Sequence, residues 1–74
     1  MTATEIAIVG GIVVSMEGAA MGVAGRAGER TVVRRSVDGR YVVMTASKPY
    51  RLIRVFADAL HARRYNMAIH GESL

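Results

Sequence analysis

The chemistry available to this chain rests on ten bases, nine Arg and Lys48, set against six acids. A guanidinium grips carboxylate or phosphate with two parallel hydrogen bonds, so the bias suits anions, though a GC-rich genome would give it as well. The bases are not spread evenly. Residues 1–25 carry Glu5, Glu17 and no base, and every base lies from Arg26 onward. Arg26, Arg30, Arg34, Arg35 and Arg40 cluster directly after a long apolar run. Such a cluster suits anionic lipid headgroups beside a membrane, or nucleic-acid phosphates in a chain free of one. The segregation implies two environments, or an anionic partner for the second part. Aromatic support for base stacking is thin: Tyr41, Tyr50, Phe56 and Tyr65.

Other chemistries find little footing. Without cysteine there is neither a disulfide framework nor a thiolate metal site. His61 and His70 have no acid at ligand spacing, so they read as solvated histidines and no metal is expected. Ser15, Ser36, Ser47 and Ser73 lack a supporting His–Asp arrangement. Ile6-Ala-Ile-Val9-Gly10 looks like the opening of a dinucleotide-binding strand, but Ile12 and Ser15 stand where the fingerprint needs glycine. The expectation is a protein with no catalysis and no cofactor.

The elements that must position the arginines turn on Glu5–Arg26. Ile6–Gly25 holds a single charge, Glu17. Wound as a helix at about 1.5 Å per residue, it would span roughly 30 Å, the hydrocarbon thickness of a bilayer. Ala7, Gly11, Ser15, Gly18, Gly22 and Gly25 would then form one stripe of small residues, with Gly18 and Gly22 as a GxxxG pair, against which other transmembrane helices pack. Glu17 would be an intramembrane acid beside that stripe, facing a neighbouring helix. The basic flank after Arg26 would lie on the cytoplasmic side and the N-terminus outside. The competing assignment is a β-hairpin, with Glu5–Val9 and Ile12–Met16 as arms around Gly10-Gly11. It leaves Glu17–Arg30 as a long glycine-rich loop, which counts against it.

Downstream, Thr31–Val37 and Arg40–Ala46 predict a hairpin about a two-residue Asp38-Gly39 turn, with Val37 facing Arg40 and Val33 facing Met44. Ser47 as N-cap and Pro49 in the first turn predict a helix over about 48–64, its apolar stripe running through Leu52, Phe56, Ala59, Leu60 and Met67. Gly71–Leu74 is read as a loose end. Separately, Met16–Val23, Arg30–Arg35 and Gly39-Arg-Tyr41 loosely resemble a small excisionase-type winged helix-turn-helix. That resemblance implies a DNA-binding protein with Arg30–Arg35 on its recognition helix.

The preferred expectation is a single transmembrane helix, residues 1–26, followed by a small basic α+β tail, residues 27–74. Such a chain would be a non-catalytic accessory subunit of a larger membrane complex, an energy-converting one among the candidates. Its partners would be other transmembrane subunits and anionic lipid. The alternative is a soluble α+β protein with two hairpins and one helix, a small basic adaptor for protein or nucleic acid, viral proteins among the candidates.

Overall fold

The computed structural model describes residues 5–70. The chain forms β1 (Ile6–Val9), β2 (Ile12–Ser15), β3 (Gly22–Ala24), β4 (Thr31–Arg35), β5 (Tyr41–Thr45), β6 (Leu52–Phe56) and α1 (Ala59–Ala68). Strands β1 and β2 make a two-stranded sheet, and β3-β4-β5-β6 an antiparallel meander in chain order. The transmembrane helix is thereby overturned: no helix among the described residues is long and apolar enough to cross a membrane. The single-pass membrane placement goes with it. The apolar run is instead spent on β1, β2 and β3, closer to the two-hairpin alternative, though neither β3 nor β6 was expected. Gly71–Leu74 lies outside the described residues.

Gly10 and Gly11 account for the break in the run. Both carry positive φ, 57° and 82°, and close a two-residue turn that pairs Val9 with Ile12 and Ile6 with Ser15. The helical reading was drawn in by the absence of alternation. Ala7, Val9, Ile12 and Val14 turn inward onto the core, yet Ile6 and Ile8 on the outer face are also apolar, 54% and 73% exposed.

Three layers result. The β1–β2 hairpin covers one face of the meander, where Val9 and Val14 meet Val32, Val42 and Met44. Helix α1 covers the other, where Ala62 meets Val33 and Val43 and the rings of Tyr41, Phe56 and Tyr65 close the edge. Each Val buried in this way contributes about 1.5–3 kcal/mol. One backbone bridge among the described residues, Val14 with Ser36, ties the hairpin layer to the meander, and the Val37 N–H donating to the Val13 carbonyl at 3.0 Å is part of it.

Two further expectations are corrected. The helix starts at Ala59, not near 48, because Asp58 is its N-cap, accepting the His61 N–H at 3.1 Å. Leu52 and Phe56, assigned to a helical stripe, lie on β6, while Leu60 and Met67 face outward at 46% and 49% exposure. In the β4–β5 hairpin the loop has three residues, Val37–Gly39, so Val33 faces Val43 rather than Met44, and the Ser36 N–H donates to the Arg40 carbonyl at 2.7 Å. Arg30–Arg35 leads into and forms a strand, which removes the recognition helix of the excisionase-type resemblance.

The two turn glycines give a direct check. A Cβ on Gly10 would sit 2.7 Å from Leu52, whereas one on Gly11 would meet open space. Gly11→Ala is expected to cost about 1–2 kcal/mol from backbone strain alone, and Gly10→Ala a further 1–3 kcal/mol, approximately, from crowding. Equal losses in thermal or denaturant unfolding would contradict this packing.

Candidate anion-binding site

The ion pairs among the described residues are two: Arg40 with Asp38 at 2.8 Å, and His61 with Asp58 at 3.2 Å. Of the ten bases, Arg40 alone therefore has a carboxylate partner there, and nine do not. Both pairs are half-exposed or more, so neither is a large source of stability. Asp38 is nonetheless well organised. Hydrogen bonds from the Arg40 guanidinium, and then from the Ser36 hydroxyl, lower its pKa from 3.8 to about 2. Its contribution to stability is complete above pH ~4 and is lost as pH falls through the folded value. In an NMR titration the Asp38 carboxyl is expected to titrate near pH 2, and Arg40→Ala to return it toward 3.8. A midpoint unmoved by that substitution would rule out the assigned cause.

The five arginines singled out in the sequence do not form one patch. Arg26 and Arg30 flank the β3–β4 connection. Arg34 and Arg35 are adjacent on β4 and line one hollow, away from Arg26 and Arg30, and Arg40 is occupied by Asp38. The small residues are scattered likewise, with Ala7 on β1, Gly11 in its turn, Ser15 on β2, Gly18 in the next loop, Gly22 on β3 and Gly25 just beyond it. Glu17 is exposed, in a hollow of about 240 Å³ that it shares with Arg34 and Arg35.

The fold instead gathers cations from separate parts of the chain around residues 46–51. Thr45 organises that loop. Its N–H donates to the Arg51 carbonyl at 3.0 Å, and its hydroxyl accepts the Arg51 N–H at 2.8 Å. The Ala46 N–H donates to the Arg30 carbonyl at 3.0 Å, which draws the start of β4 alongside. The loop thus projects as a ridge bearing Lys48 and Pro49, with a concavity on each side. One is a cationic cleft of about 760 Å³ lined by Arg30, Lys48, Arg51, His70 and Ser47, with Glu29 opposing them. The other is a slot of about 840 Å³ whose walls are Ile6, Ala7, Met16 and Pro49, with Arg34, Lys48 and Tyr50, and Glu5 as its acid. Both volumes fall in the range of ligand sites. No family model, curated protein or solved structure matches this chain.

Arg34 is positioned by more than its strand. Its Nη1 donates to the Gly18 carbonyl at 3.2 Å, while its Nε–H is buried with no partner among the described residues. An unmet buried donor costs about 1–3 kcal/mol, so this guanidinium is incompletely neutralised and incompletely bonded by the protein itself. Arg54 differs: it lies over the Phe56 and Tyr65 rings, 5.7 and 5.4 Å from their centroids, and is committed to that stack.

At the back of the cleft, Thr31, Asn66 and His70 form a cluster the sequence does not announce, since 35 residues or more separate Thr31 from the others. Asn66 Nδ2 donates to the Thr31 carbonyl, and its Oδ1 accepts the Thr31 hydroxyl. That hydroxyl has one proton, so His70 Nε2, 2.7 Å away, must donate to the Thr31 oxygen and not accept from it. The histidine is therefore no base for Thr31, which is buried at 6% exposure. The cluster is a polar lock between α1 and β4. Gly25 permits it, because a Cβ there would lie 2.8 Å from the His70 ring. Thr31→Val should cost about 1–3 kcal/mol by orphaning Asn66 and His70. A chemically unfolded baseline reached at the same denaturant concentration as wild type would show the lock to be idle.

Proposed function

We propose that this protein is a small non-catalytic module that binds nucleic acid through the ridge at residues 46–51 and the cationic cleft beside it. The observation that carries the reading is the imbalance of charge: nine bases have no carboxylate partner among the described residues. Four of them, Arg30, Arg34, Lys48 and Arg51, line the two concavities against Glu5 and Glu29 only. Like charges held together in this way repel one another and raise the local potential, so a polymer of phosphates meets them at a gain by releasing its counterions. Arginine's forked donors and the Ser47 hydroxyl match phosphate oxygens. A polyanion also fits better than a lone anion, because cations stand on both sides of one ridge.

The test is affinity as a function of salt, measured by anisotropy on a labelled mixed-sequence oligonucleotide. Arg30→Gln combined with Arg51→Gln should lower affinity and reduce the slope of log K against log salt by about 1.4, the value for two single-strand phosphate contacts. Arg40→Gln, whose charge Asp38 already matches, should leave the slope unchanged. Affinity that ignores salt, or a slope that Arg40→Gln changes as much as the double variant, would overturn the reading.

A further inference from the structure

Resting on that reading, we infer that the slot is a base site, and that the nucleic acid is single-stranded. Cations alone do not distinguish a duplex from an open strand, since both present phosphates. The slot does, because beside Arg34 and Lys48 it has an apolar wall that gives phosphate nothing to hold. Ile6, Ala7, Met16 and Pro49 offer an apolar concavity, and nothing on the outside of a duplex gains from entering one. An unpaired base does gain: it is flat, largely apolar on its faces, and stacks on aromatic rings without regard to sequence. Tyr50 supplies the ring. It packs partly against the hairpin-side core and also lines the slot.

Position makes the slot and the cleft one site. Lys48 and Pro49 line both. A strand crossing the ridge sets one phosphate at Lys48, turns a base into the slot against Tyr50, and carries its next phosphates toward Arg30 and Arg51. Arg34 stands in the slot wall as a second cation beside Lys48 for that base's own phosphate. The third hollow, around Glu17, has no aromatic and carries no such argument.

The experiment compares three labelled ligands on the full chain at one salt concentration: a thymidine dodecamer, an abasic strand of the same length, and a duplex of that length. The dodecamer should bind about ten-fold tighter than either of the others. Tyr50→Leu, which keeps apolar bulk against the core, should weaken the dodecamer about five-fold or more and leave the abasic strand alone, while Tyr50→Phe retains binding. If Tyr50→Leu does not fold, quenching of 2-aminopurine placed in the strand reads stacking on the wild-type protein, and absence of quenching overturns the base site. Equal affinity for abasic strand, duplex and dodecamer also overturns it, while leaving phosphate binding in place. No salt-sensitive binding to any of the three overturns both proposals.

Discussion

Val32, Val42 and Met44 turn to one face of the central sheet, Val33 and Val43 to the other, and each face is covered by a different layer. That two-sided burial, at the middle of a chain with one Phe and no Trp, is what the rest of the molecule depends on. It creates a difficulty of its own. A strand with one wet face has its register enforced by hydrophobicity, because a slip of one residue would expose its apolar side chains. With valine on both faces, β4 and β5 lose most of that enforcement. Register must come from polar groups at the two ends. At one end the Ser36–Asp38–Arg40 network shapes the three-residue loop, and at the other Thr31 must meet Asn66 of the helix.

This explains which parts of the fold are legible from residues alone. Gly10-Gly11 and Asp38-Gly39 mark their turns, and a strand pair lies around each. The β4–β5 register was not legible, since Asp38-Gly39 suits a two-residue turn equally well and the valines do not object. Length and low charge made Ile6–Gly25 look like a bilayer span, because Ile6 and Ile8 stay outside and spoil the alternation that signals a strand. Ser47 and Pro49 imitate a helix start, yet they sit on a loop fixed by Thr45, and the working cap is Asp58. Leu52 to Phe56 carries no clean period, because Leu52 and Val55 face the hairpin while Arg54 and Phe56 belong with the helix side.

The site was less legible still. Counting arginines points to an anion, but the cluster that stands out along the chain is split between the β3–β4 connection, β4 and the loop after it. The residues that come together, Arg30, Lys48, Arg51 and His70, are distributed over forty positions with no shared spacing. They meet because Ala46 bonds to Arg30, because Thr45 folds the next loop back on itself, and because Asn66 and Thr31 bring the end of α1 to the same end of the sheet. Backbone and buried polar bonds, which leave no pattern in composition, do the gathering.

The hairpin layer is joined to the meander by apolar contact and, among the described residues, by a single backbone bridge at Val14–Ser36, to which the Val37 bond belongs. It is thus the natural unit of partial opening, although each opening uncovers Val32, Val42 and Met44. Because Ile6, Ala7 and Met16 supply one wall of the slot, such an opening dismantles the slot while leaving the cleft intact. Occupancy of the slot is then coupled to the hairpin's own fluctuation, and amide protons of β1 and β2 would report a ligand that touches none of their carbonyls.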